Sequence, residues 1–151
     1  MSERRTEKFR HKSITSTIYC TDAQYLAELM CVRQAKQKKI ILLERFWNKD
    51  SWKLIYKKQM LAANNLLKAY EFQAILNALN QKNYQWVSSL WYKELPSLIS
   101  QEQDKINIEK EQLEKIRAKE MQQEIDKLKE EYMLPKETIV TPFGSKKKIL
   151  D

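Results

Sequence analysis

A chain of 151 residues with 42% apolar side chains can bury one core, with little left over for a second. Its single glycine, Gly144, and its three prolines, Pro96, Pro135 and Pro142, argue against a Rossmann fold, a P-loop and a many-hairpin β fold, which need glycine for positive φ or for close approach to phosphate. The formal net charge of +8 is uneven: residues 1–100 hold 17 Lys and Arg against 8 acids, and residues 101–151 hold 11 against 12, so the excess favours an anionic partner.

The expected class is all-α: a small helical bundle with a long, charged, protruding C-terminal helix and flexible basic termini. Residues 1–13 read as a basic disordered arm, 14–100 as the globular domain, 101–132 as a long charged helix or weak coiled coil, and 133–151 as a flexible basic tail. In the arm, Arg4, Arg5, Lys8, Arg10 and Lys12 face only Glu3 and Glu7. Residues 14–19 are β-prone but have no evident partner strand, so they are expected as an extended lead-in.

Thr21, with Gln24 three residues on, forms a capping box and starts a helix to about Lys38. Tyr25, Leu26, Leu29, Met30 and Val32 or Arg33 trace its buried side. Lys36, Lys38 and Lys39 suit the negative end of its dipole. Residues 40–47 are a second apolar piece that either continues this helix or follows a sharp turn near Lys39. Residues 52–70 form the central helix, capped by Asp50 or Ser51. Trp52, Ile55, Tyr56, Met60, Ala63, Leu66, Leu67 and Tyr70 make one stripe, with Gln59 as a polar intruder; Leu54 and Leu61 lie opposite, which predicts packing on two sides.

Short helices are predicted over residues 71–80 and 84–92, joined by the turn Asn80-Gln81-Lys82-Asn83. Their size suits a helix-turn-helix, but the turn lacks glycine and the second helix offers Gln85, Ser88 and Ser89 and almost no positive charge, so a plain α-hairpin in the core is the preferred reading. The last helix runs from about Pro96 to Tyr132. Glu111 with Lys115 is spaced i,i+4, and Glu102 with Lys105, Glu114 with Arg117, Glu124 with Lys127, and Asp126 with Lys129 are spaced i,i+3. Ile106, Leu113, Ile116, Met121, Ile125 and Leu128 form an apolar seam that skips register between Ile116 and Met121, so a strict heptad fails. This seam is the expected interface for a partner helix or for self-association.

Cys20, Cys31 and the lone His11 cannot assemble a four-ligand zinc site, and no metal or other cofactor is expected. No signal peptide or spanning stretch is seen, so the expectation is a soluble intracellular protein without a membrane partner. Catalysis is hard to build: His11 lies in the arm, several of Asp22, Glu28, Glu44, Asp50, Glu71 and Glu94 read as caps or surface partners, and no motif singles out a pair of them. The expectation is no enzyme, a metal nuclease built on scattered carboxylates being the form such a sequence would hide most easily.

The expected function is a non-enzymatic nucleic-acid-associated accessory or assembly factor with weak sequence preference. Lys53, Lys57 and Lys68 form a ridge on the central helix; Lys36, Lys38, Lys39 and Lys49, with Arg45, lead into it, and the arm adds its five cations. Such a row can replace counterions along a phosphate backbone. Trp47, Trp52, Tyr56, Tyr84, Trp86, Trp91 and Tyr92 are interleaved with it and could stack on bases, although helical spacing assigns most of them to the core. The alternative is a structural adaptor or oligomerisation protein docking through its long helix.

Overall fold

Thr21 opens the first helix. In the computed structural model, which describes residues 2–132, its hydroxyl accepts from the Gln24 amide at 3.2 Å, and the Gln24 side chain accepts from the Thr21 N–H at 2.9 Å. This closed capping box starts α1 (Asp22–Gln37). Its buried side is Ala23, Leu26, Ala27, Glu28, Met30, Cys31 and Ala35; Tyr25, Leu29, Val32 and Arg33 are half-buried. The helix ends in a Schellman turn, with the Ile40 N–H on the Ala35 carbonyl and the Lys39 N–H on the Lys36 carbonyl. Lys39 takes the left-handed position there at φ 58°, where a non-glycine residue costs about 1–2 kcal/mol.

Of the two alternatives for residues 40–47, the sharp turn holds, but no helix follows it. Residues 40–43 lack regular structure, Arg45 is left-handed at φ 57°, and a single 3-10 turn, Phe46–Asn48, buries Phe46. α2 (Asp50–Ala69) begins after Lys49, which makes no side-chain capping bond. The expected cap at Asp50 or Ser51 is thus corrected: both lie within the first turn, where Asp50 suits the positive end of the dipole. Trp52, Tyr56, Ala62 and Ala63 are buried, while Ile55, Met60, Leu66, Leu67 and Tyr70 are half-buried. Leu54 and Leu61 are 62% and 57% exposed, so α2 packs on one side, contrary to the two-sided expectation.

α3 (Phe72–Leu79) follows, and α4 (Leu95–Tyr132) begins with Pro96 in its first turn, where a missing N–H leaves no bond unmade. The helix predicted over residues 84–92 does not form. A 3-10 turn, Lys82–Tyr84, and further turns take its place, so there is no second helix for a helix-turn-helix. α1 supplies the bonds that this stretch lacks. Arg33 donates to the Leu79 and Val87 carbonyls at 2.8 and 2.9 Å, Gln34 to Ser88, and Gln37 to Trp86. From α2, the buried Gln59 donates to the Ser89 hydroxyl and accepts from the Leu90 N–H. The polar intruder in the α2 stripe is therefore a backbone clamp.

β1 (His11–Lys12) and β2 (Tyr19–Cys20) pair antiparallel, His11 opposite Cys20 and Lys12 opposite Tyr19. Of the stretch 14–19, Tyr19 thus does have a partner strand, supplied by the segment expected as a free arm. Between the strands the chain folds around Glu28, a buried side chain of α1. Its Oε1 accepts from Ser13 Oγ and the Ile14 N–H, both at 3.0 Å. Its Oε2 accepts from Ser13 Oγ at 2.7 Å, the Thr15 N–H at 3.0 Å and Thr15 Oγ1 at 2.6 Å. Successive N–H groups converging on one anion make a concave anion site from backbone.

Two apolar clusters complete the interior. One joins Leu26 and Met30 of α1, Ala63 of α2, Ile75 and Leu79 of α3, Val87 and Leu90, and Leu95 and Ile99 of α4. The other gathers Ala27, Cys31, Phe46, Trp52 and Tyr56. Contacts divide the chain into two units, Met1–Ile106 and Asn107–Asp151. In the second, every residue from 107 to 132 is exposed. Of the charge pairs expected on α4, the structure closes Lys105 on Glu102 at 3.0 Å, and Asp126 accepts instead from Gln122. The expected tail, residues 133–151, lies outside the described residues. No described helix is long and apolar enough to cross a membrane.

Candidate nucleic-acid interface

α1 and α2 run antiparallel. At one end the Lys38 ammonium lies 5.8 Å from the Trp52 ring centre; at the other, Asp22 shares a cleft with Leu67 and Tyr70. The first end gathers Lys36, Lys38 and Lys39 from α1 with Lys49 and Lys53 at the start of α2, all exposed. Farther along α2, Lys53, Lys57, Asn64 and Lys68 fall within about 60° of one another at 100° per residue, next to Leu61, Leu54 and Lys58. The outer face of α2 therefore mixes ammonium groups with two exposed leucines.

These cations are unneutralised. Among the described residues, none of Lys36, Lys38, Lys39, Lys49, Lys53, Lys57, Lys58 or Lys68 has a carboxylate within ion-pair distance. Residues 36–70 carry nine Lys and Arg against Glu44 and Asp50 alone. Like charges held a helical turn or so apart repel by a few tenths of a kcal/mol per pair, a cost that an anionic partner removes.

The arm cations differ in their availability. Arg4, Arg5, Lys8 and Lys12 are exposed, with Lys8 resting 5.5 Å from the Phe9 ring. Arg10 is committed: its Nε and Nη2 donate to the two Asp22 oxygens at 2.9 and 3.0 Å. His11 Nε2 lies 2.5 Å from Asp22 Oδ1, and the His11 ring stacks on Phe72 at 4.1 Å. Partial burial alone would raise the Asp22 carboxyl, but the bonds from Arg10 and His11 outweigh it and hold Asp22 below its ordinary range; the same bond pushes Arg10 up.

Of the seven interleaved aromatics, Trp86 and Trp91 are the ones with more than half their surface exposed, at 55% and 54%. The Trp91 indole N–H donates to the Lys58 carbonyl at 3.1 Å, which sets this ring beside the lysines of α2. Trp86 donates to the Asn83 carbonyl and meets Tyr92 edge-on. Trp52 and Tyr56 are core, and Trp47, Tyr84 and Tyr92 are half-buried. The clamp of Arg33, Gln34, Gln37 and Gln59 that fastens the tryptophan-bearing loop was missed in the sequence; its one local sign was a polar row on α1 beside the apolar stripe. Burial lowers the Arg33 guanidinium.

On α4, Ile106 is half-buried and packs against the main cluster. Leu113, Ile116, Met121, Ile125 and Leu128 are exposed. Among the described residues no group of three or more His, Cys, Asp or Glu converges as a metal site. Comparison with protein-family models, with curated proteins and with solved structures finds no match to this chain.

Proposed function

We propose that the chain is a non-enzymatic nucleic-acid-associated accessory or assembly factor. It works inside the cell and binds phosphate backbone through the lysine face of α1 and α2, with weak sequence preference. The observation that carries this reading is the set of eight exposed lysines with no carboxylate partner among the described residues. Ammonium groups in that arrangement displace condensed counterions from a polyanion, and the gain is entropic. Trp91 beside Lys58 adds a ring that can stack on an unpaired base.

The test is a fluorescence-anisotropy titration of single- and double-stranded DNA and RNA at low salt, with the parent chain and with Lys53→Glu, Lys57→Glu. The double variant keeps the fold, because both side chains are exposed, and weakens all nucleic-acid forms alike, because phosphate contacts carry no base information. Absence of binding to all four forms rejects the reading. It would favour a second one, a structural adaptor or oligomerisation protein, which is supported by the exposed side chains Leu113, Ile116, Met121, Ile125 and Leu128 of α4.

A further inference from the structure

At the end of the α1–α2 pair far from Lys38 lies an open cleft of about 650 Å³, within the range of small-ligand sites. The arm forms one wall with Arg5, Arg10 and His11; Leu67 and Tyr70 at the end of α2, and Glu71 and Gln73 at the start of α3, form the other. Three kinds of chemistry converge on it. Arg10 and His11 are spent on Asp22, but the exposed Arg5 guanidinium has no ion-pair partner among the described residues. The half-buried Tyr70 offers a flat ring next to Leu67. Gln73 uses its amide N–H on Asn77, which leaves its carbonyl oxygen to accept, and the Glu71 carboxylate, held by Gln103, is a second acceptor.

We propose that this cleft seats one unpaired nucleotide of a bound strand, its base against Tyr70 and its phosphate on Arg5. This deepens, and rests on, the nucleic-acid reading. A planar base fits the ring, and its exocyclic amine meets the acceptors Glu71 and Gln73, as carboxylates and amides pair with amino groups on base edges. One unpaired cation matches one phosphodiester. Lys68, the last lysine of the α2 ridge, stands one residue after Leu67 and two before Tyr70 in sequence. A duplex cannot use the cleft, because its bases are already stacked and paired.

The test compares a 12-nucleotide single strand with a 12-base-pair duplex, at one low salt concentration, for the parent chain, Arg5→Ala, Tyr70→Ala, and Lys53→Glu with Lys57→Glu. The strand carries 2-aminopurine, whose fluorescence falls on stacking. The cleft variants are expected to weaken single-strand binding about 10-fold and to abolish the fluorescence loss, with duplex binding unchanged within about 2-fold. The lysine variant weakens both substrates. Arg5→Ala keeps the result decisive should Tyr70→Ala lose stability, since the Arg5 side chain is exposed. Unchanged single-strand binding in Arg5→Ala, or equal weakening of strand and duplex, overturns the cleft and leaves the lysine reading standing. If the parent binds neither substrate, both fall.

Discussion

Replacing Glu28 with alanine removes the acceptor on which the segment between β1 and β2 is built. The side chain is fully buried and takes bonds from two backbone amides and two hydroxyls. The Ser13 and Thr15 hydroxyls can turn to other acceptors, but the Ile14 and Thr15 amides are fixed by the backbone. Leaving a buried donor unsatisfied costs about 1–3 kcal/mol; these two amide bonds are part-buried and Ile14 is 41% exposed, so each costs about 1 kcal/mol, the low end, and the pair roughly 2 kcal/mol. For a chain of this size each kcal/mol lowers Tm by about 3 °C, which gives a fall of roughly 6 °C. Glu28→Gln keeps the shape and one acceptor oxygen but turns an NH₂ toward donors, so it should lose about half as much. Urea and thermal unfolding measure the loss, and hydrogen exchange locates it at the amides of Ile14 and Thr15. An alanine variant within about 0.5 kcal/mol of the parent, with both amides still protected, would refute the argument that the carboxylate organises this segment.

The Tyr56 hydroxyl is buried without a hydrogen-bond partner among the described residues, and burial raises its pKa. Tyr56→Phe should therefore stabilise by about 1 kcal/mol in urea unfolding; a loss of that size would mean the hydroxyl is bonded. Asp22 is held below its ordinary pKa, so its contribution to stability is complete above about pH 4 and is lost as the pH falls through the lower folded-state value. The stability gap between the parent and Asp22→Asn, read from urea midpoints, should narrow at pH 2.5 compared with pH 7, and a constant gap would contradict the Arg10–Asp22–His11 clamp. Burial pushes the Cys20 and Cys31 thiols to about 12, so neither should react with a chromogenic disulfide reagent at pH 8 until urea unfolds the chain. Rapid native labelling of either cysteine would place it on the surface.

What the sequence made legible was local. Thr21 and Gln24 carry both halves of the capping box, and the stripe of α2 follows from spacing alone. Residues 40–43 misled because four aliphatic residues in a row suggest burial, yet Ile41 is 87% exposed, and the turn that ends α1 uses Lys39 where glycine would have signalled it. Residues 84–92 misled because Trp86, Val87, Leu90 and Trp91 have helical spacing. Their backbone is instead satisfied by Arg33, Gln34, Gln37 and Gln59, partners 30 or more residues away that no local window contains. Glu28 could have been placed, since it stands three residues before Cys31 and seven before Ala35 on the small-residue side of α1. The lysines of α2 are readable as a ridge, but their lack of carboxylate partners among the described residues emerges only from the packed fold. Arg10, counted with the free cations, is neutralised by an aspartate twelve residues away.

The most direct test of the central claim is the salt dependence of duplex-DNA affinity for the parent chain and for Lys53→Glu with Lys57→Glu. Each phosphate neutralised contributes about −0.9 to the slope of log K against log salt. If the lysine face holds the backbone, the parent slope is about −4 or steeper, and the double variant is flatter by about 2 and binds more weakly at every salt concentration. A parent affinity that does not change with salt, or a double variant with the parent's slope, would contradict it.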